Sequence, residues 1–120
     1  MEGKKFDQRK VRLGLLPREA LWEVGKVLTF GAEKYDPWNW KKGMEWSRLI
    51  DAADRHFTKW ILRSGPDEET GLSHLAHMAC CVLFLLTYEI LGIGEDDRYS
   101  VRKNNSVQNS TDPNITVEYS

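Results

Sequence analysis

Cysteine is scarce in this chain: there are two, Cys80 and Cys81, side by side. Adjacent residues rarely meet disulfide geometry, so a disulfide scaffold is excluded and both thiols are expected reduced and buried. A surplus of either charge is also missing. Lys and Arg number 17 and Asp and Glu 18, for a formal net charge of −1. A protein that wraps a nucleic-acid polymer carries a basic excess to displace counterions, so no such polymer is expected as a partner. Long apolar runs are lacking too. The longest, Met78 to Leu86, is too short to cross a bilayer, and the charged opening MEGKKFDQRKVR does not look like a signal peptide. No membrane is therefore expected as a partner, and the cytoplasm is the simplest compartment. No glycine-rich phosphate loop of the Walker type is present. GIGEDD, from Gly92 to Asp97, has no strand before it and no helix after it, so it is not a dinucleotide fingerprint. No Ser-His-Asp or Cys-His nucleophile arrangement stands out, and burial among apolar residues would raise the pKa of both cysteines.

What the 120 residues do contain is helical periodicity, within one domain. A first helix is predicted from Pro17, with Ala20, Leu21, Val24, Val27, Leu28, Ala32 and Tyr35 as its apolar stripe. Gly31 lies on that stripe, where it would allow close helix approach or mark a fraying end. A second begins near Trp46, with Ser47 as its cap, and stops at Gly65 and Pro66. The third opens at Ser73 and runs to about Leu91 before Gly92. From Leu75 to Leu86 it is apolar almost all round, the mark of a helix surrounded by others. Two partner helices cannot enclose it. The fold class is accordingly all-α: an antiparallel bundle of three main helices, completed by homo-oligomerisation as a homodimer or homotetramer. Residues 1–16 are expected to be extended chain lying over the bundle, 17–92 the helical domain, and 93–120 a mobile polar tail. The three Asn-x-Ser/Thr triplets of that tail, at Asn104, Asn109 and Asn114, are compositional in a cytosolic chain.

The chemistry gathers in two places. One is GAEKYDPWNWKKG, Gly31 to Gly43, which crowds Tyr35, Trp38 and Trp40 beside Lys34, Lys41 and Lys42. Connections between helices are ordinarily small and polar. Either these aromatics cover the core, or they and the cations wall a site for a flat, anionic molecule. The other is the set of all three histidines, His56 on the second helix and His74 and His77 on the third. A three-residue step puts His74 and His77 on one helix face. That spacing suits two ligands of one metal, a pair gripping phosphate, or two helix-terminus histidines with no further duty. Asp67, Glu68 and Glu69 precede them and would complete a divalent-metal site, or simply favour the helix N-terminus.

The stretches DQRKVRLGLLPREALWEVGKVLTFGAEKYDPWNWKKG, WSRLIDAADRHFTKW and DEETGLSHLAHMACCVLFLL together closely resemble a bacteriophage family, the dATP/dGTP diphosphohydrolase N-terminal-type domain. The resemblance covers roughly residues 6 to 91, and its markers include Asp7, Lys10, Arg12, the aromatic turn, the Arg55–His56 pair and HLAH. The family looks like a divergent branch of the all-α, MazG-like nucleoside triphosphate pyrophosphohydrolases. The resemblance implies a helical oligomer, in the host cytoplasm if phage-encoded, using Mg²⁺ or Mn²⁺. It implies cleavage of a (purine) deoxynucleoside triphosphate to monophosphate and pyrophosphate. His56, Glu69, His74 and His77 are then the expected catalytic residues, and Asp67, His74 and His77 the metal ligands. Lys10, Arg12, Lys34, Tyr35, Asn39, Trp40 and Arg55 are expected to hold substrate. One departure matters. Where the larger group holds metal with Glu-x-x-Glu and Glu-x-x-Asp, this chain has DAADRH and HLAH. Imidazoles in place of carboxylates favour a softer divalent metal, or leave a nucleotide-binding protein that does not hydrolyse.

Overall fold

Three helices carry the described residues, 3–100: α1 Arg18–Lys34, α2 Trp46–Ile61 and α3 His74–Leu91, with 3₁₀ turns at Leu13–Leu15 and Asn39–Lys42. The coordinates are a computed structural model. The expected tail beyond residue 100, with its Asn-x-Ser/Thr triplets, lies outside the described residues. Each helix end has a local cause. Pro17 precedes α1 with φ −67°, the value its ring imposes. Ser73 caps α3, its hydroxyl oxygen accepting from the Leu75 amide at 3.1 Å. Gly92 ends it in the left-handed conformation, φ 68°, which costs glycine little. Ser47 corrects the expectation for α2. It sits inside the first turn, after Glu45 as cap, and its amide and hydroxyl both donate to the Asp97 carboxylate.

α3 lies between the other two helices and packs on both. Both pairings are antiparallel, as two sets of contacts show. Along α2, His56 meets His74 while Trp46 meets Ile93. Along α1, the Val24 carbonyl accepts from Cys80 while Lys34 reaches Glu69. The core is Trp46, Leu49, Ala53, Cys81 and Tyr88, extended by Trp40, Met44, Met78, Phe84, Leu85 and Ile93. Both cysteines are free and buried, and burial pushes the Cys80 thiol up to about 12. α3 has a mean hydropathy of 1.6 over 18 residues, enough by length and composition alone to cross a bilayer. The shorter run seen in the sequence understates it. Against α1 and α2 it buries His74, Ala76, Cys80, Cys81 and Tyr88. Its outer face stays open within one chain: Val82, Leu83, Leu86 and Ile90 are exposed, Ile90 at 71%.

Two peripheral segments differ from expectation. Residues 3–20 do not lie over the bundle. All are exposed, Phe6 at 92%, because its apolar residues alternate with Asp7, Arg9, Lys10 and Arg12 and form no continuous stripe. Residues 93–98, by contrast, belong to the fold. Glu95 bridges to Glu45, Trp46 Nε1 donates to the Ile93 carbonyl at 2.9 Å, and the Arg98 guanidinium lies 5.0 Å over the Trp46 ring. The glycines of this strap make the contact possible. A Cβ on Gly94, φ +79°, would stand 2.4 Å from the Met44 carbonyl oxygen, so only glycine lets the two backbones approach so closely.

Candidate active site

The loop joining α2 to α3 folds on its own carboxylate. Asp67 Oδ1 accepts from the Glu69 amide at 3.0 Å, the Thr70 amide at 2.9 Å and the Thr70 hydroxyl at 3.1 Å. This is an Asx-type turn, closed further by the Asp67 amide donating to the Leu72 carbonyl at 2.9 Å. Burial works to raise the Asp67 pKa. The opposing hydrogen bonds, from the Thr70 amide first, together with nearby His77, bring it below the ordinary carboxylate value. The loop therefore presents a fixed anion to the start of α3.

Around that anion the three histidines converge from two helices. His56 Nδ1 and His74 Nδ1 are 2.9 Å apart, and the His56 ring stacks on His77 with centroids 4.6 Å apart. His77 Nε2 lies 2.7 Å from Thr70 Oγ1 and 3.7 Å from Asp67 Oδ1. A hydroxyl has one proton. With Thr70 donating it to Asp67, His77 Nε2–H must donate to Thr70, giving a chain His77 to Thr70 to Asp67. Burial lowers the pKa of His56, helped by His77 and His74. Burial also lowers that of His77, against the pull of Asp67. Both are thus neutral near pH 7, as ligands and proton acceptors must be. His74 is only 4% exposed.

A cleft of about 270 Å³ is lined by the polar groups of Lys34, His56, Asp67, Glu69, Thr70 and His77 together with Val27, Phe30, Gly31 and Tyr35. Lys34 Nζ pairs with Glu69 Oε1 at 2.8 Å, and that hydrogen bond, with a smaller effect of Tyr35, raises the Lys34 pKa. Beside this cleft is an apolar pocket of about 480 Å³, walled by Tyr35, Trp38, Asn39, Trp40, Met44 and Phe84. Val27, Gly31 and Tyr35 line both. Gly31 was open to a role in helix approach, but a Cβ there would meet no atom within 4 Å. Its bare backbone is part of the wall the two cavities share.

The aromatic turn both covers the core and walls the apolar pocket. Trp40 stacks on Phe84 at 5.2 Å between centroids, and its carbonyl accepts from the Tyr88 hydroxyl. It is a core plug with one face on the pocket. Trp38 is held at φ 63°, 64% exposed, with Lys41 Nζ 4.4 Å above its ring.

Of the expected site residues, the structure brings together His56, Asp67, Glu69, His74, His77, Lys34, Tyr35, Asn39 and Trp40. It places Arg55 elsewhere, on an exposed face of α2 with Asp51, Asp54 and Lys59. A step of one residue from His56 turns a helical side chain by about 100°, which is why the Arg55–His56 pair splits. Lys10 and Arg12 lie on the exposed N-terminal segment and line neither cavity. Thr70 and Phe84 were missed. Thr70 had a signal, three residues beyond Asp67 at the spacing of an Asx-type turn; Phe84 looked like any core residue.

The metal expectation changes in two ways. The ligand atoms that gather within 4.8 Å of one another belong to His56, Asp67 and His74, whereas His77 Nε2 is engaged by Thr70. Mg²⁺ demands a near-octahedral shell of oxygens. Two imidazoles and one carboxylate that already accepts three hydrogen bonds do not fit it.

Comparison with known proteins gives a consistent family. The sequence model described as "dATP/dGTP diphosphohydrolase, N-terminal" matches residues 1–98. A protein of Salmonella phage PMBT28 named "dATP/dGTP diphosphohydrolase" is 41% identical over 85 residues, which is 71% of this chain and 29% of that protein. The chain thus spans under a third of that relative's length. No solved structure matches it.

Proposed function

The chain belongs to the dATP/dGTP diphosphohydrolase N-terminal family, and from that premise we propose that its two adjoining cavities take a purine deoxynucleoside triphosphate and hydrolyse it to monophosphate and pyrophosphate. The observation that carries this reading is the shared wall. An apolar pocket with aromatic faces and a cleft bearing a lysine and neutral imidazoles share the wall formed by Val27, Gly31 and Tyr35. A nucleotide has the same two-part character, a flat base joined to a chain of anions.

In this reading the base lies in the pocket against Trp38 and Trp40, where stacking is typically worth about 1–3 kcal/mol. Asn39 offers a donor and an acceptor to its edge. The triphosphate runs along Tyr35 and Gly31 into the cleft, and Lys34 exchanges Glu69 for a phosphate oxygen. That exchange frees the Glu69 carboxylate to take a proton from the attacking water. The water oxygen bonds to the α-phosphorus, the bond to the bridging oxygen breaks, and pyrophosphate leaves. Holding the reactants in line is the main service a site of this kind performs.

A second reading has its own support. Asp67 Oδ1 accepts three hydrogen bonds, Glu69 is paired with Lys34, and Asp51 and Asp54 lie on a different face. A site whose carboxylates are so occupied suits a protein that holds a nucleotide intact. Incubating the folded chain with each dNTP in Mg²⁺, Mn²⁺ or Co²⁺, and resolving products by anion exchange, separates the two. Monophosphate and pyrophosphate from dATP or dGTP establish the first; saturable binding with the nucleotide recovered whole establishes the second. Neither binding nor turnover with any metal refutes both.

A further inference from the structure

The cluster that does not fit Mg²⁺ has a definite chemistry of its own. From the convergence of α2, α3 and the loop between them, we propose that His56, His74 and Asp67 form a site for one first-row transition-metal ion, Fe²⁺, Co²⁺ or Zn²⁺, that discriminates against Mg²⁺. Three facts carry it. First, the donors come from three separate elements, so bundle formation itself assembles them: His56 from α2, His74 from α3 and Asp67 from the loop. Second, the spacing is right. Two nitrogens each about 2.0–2.1 Å from one ion stand roughly 3.0–3.4 Å apart, and the two Nδ1 atoms are at 2.9 Å. A small movement separates a hydrogen-bonded pair from a chelating one. Third, the carboxylate is held in place. Thr70 and the loop amides fix Asp67 Oδ1, and His77 Nε2 backs Thr70 at 2.7 Å. Groups of this kind behind a ligand set its orientation and raise affinity. His77 is thereby a positioning residue for the site.

Donor softness then selects the ion. Imidazole suits zinc, iron and nickel, whereas magnesium and manganese prefer carboxylate and water, and two imidazoles with one carboxylate leave positions open for further ligands. Without metal, the 2.9 Å contact requires one imidazole to carry its proton on Nδ1 and the other to accept there. With both Nδ1 atoms on a metal, both protons sit on Nε2. The inference stands apart from the nucleotide reading, because the test contains no nucleotide.

The 120-residue chain is stripped with chelator and titrated calorimetrically with Co²⁺, Zn²⁺, Mn²⁺ and Mg²⁺. One Co²⁺ or Zn²⁺ per chain is expected, bound at least a hundredfold more tightly than Mg²⁺. His56→Ala and Asp67→Asn should each weaken Co²⁺ binding at least tenfold, and Asp51→Asn, on the other face of α2, should leave it unchanged. Melting curves of the metal-free variants verify that they are folded. Because a variant can still perturb the loop, long-range ¹H–¹⁵N spectra of the unsubstituted protein give an independent reading. One equivalent of Zn²⁺ should move the Nδ1 resonances of both His56 and His74. Mg²⁺ binding as tight as Co²⁺, full-affinity Co²⁺ binding by His56→Ala, or imidazole resonances that ignore Zn²⁺ would each overturn the assignment.

Discussion

Replacing Gly31 offers a test in which stability and binding should move in opposite directions. Gly31 lies in the last turns of α1, where glycine costs about 0.5–1 kcal/mol relative to alanine. A Cβ there meets no atom within 4 Å, so nothing offsets the gain, and Gly31→Ala should raise the melting temperature by roughly 2–8 °C. Leucine has nearly the same helix propensity as alanine, and its added carbons would occupy space at the wall that pocket and cleft share. A nucleotide then keeps its base contacts or its phosphate contacts but not both. Loss of base stacking alone, about 1–3 kcal/mol, corresponds to a roughly 5- to 150-fold rise in Kd for dATP or dGTP. Inorganic pyrophosphate, which needs only the cleft, should bind Gly31→Leu as it binds the unsubstituted protein. Differential scanning fluorimetry and calorimetry of the three proteins decide the matter. A Gly31→Leu protein with undiminished nucleotide affinity would refute the two-cavity reading. One that melts several degrees lower would show that the backbone there is not open.

The two tryptophans of the turn should part company. Trp38→Ala removes an exposed ring and is expected to weaken nucleotide binding about tenfold while barely changing the melt. Trp40→Ala removes a ring stacked on Phe84 and should cost about 3 kcal/mol of stability, seen as a lower urea midpoint. Gly94→Ala forces a Cβ to 2.4 Å from the Met44 carbonyl at positive φ and should cost about 2–3 kcal/mol, measured by the same unfolding titration. Asp97 carries a pH signature. Hydrogen bonds from the Ser47 side chain, then its amide, hold the folded pKa below the ordinary value. The stabilisation is therefore present above the unfolded pKa near 4 and is lost as pH falls through the lower folded value. Asp97→Asn should melt below the parent at pH 7, and the two melting curves should converge as the pH is lowered below about 4.

Helix number, order and ends follow from local chemistry, and so could be read in one dimension. A proline, a serine, a glycine and a three-to-four-residue apolar rhythm each act within a turn or two of their own position, which is why α1 begins, and α3 begins and ends, where expected. The burial of two reduced cysteines followed from the same rhythm. The histidines and the aromatic turn were recognisable as unusual, since neither imidazoles nor tryptophans are common fillers of such positions. Which of them meet was another matter. Arg55 and His56 are neighbours in the chain, yet helical rotation sends one to the surface and the other into the cleft. Ser47 looked like a cap, but Asp97, distant in sequence, holds it inside the helix. Gly31 and Gly94 look alike as letters. One borders open space and the other a carbonyl oxygen 2.4 Å from where its side chain would begin. Such distinctions depend on what the rest of the chain brings alongside. Short-range preferences settle an element; only packing between elements distant in sequence settles which side chains share a cavity.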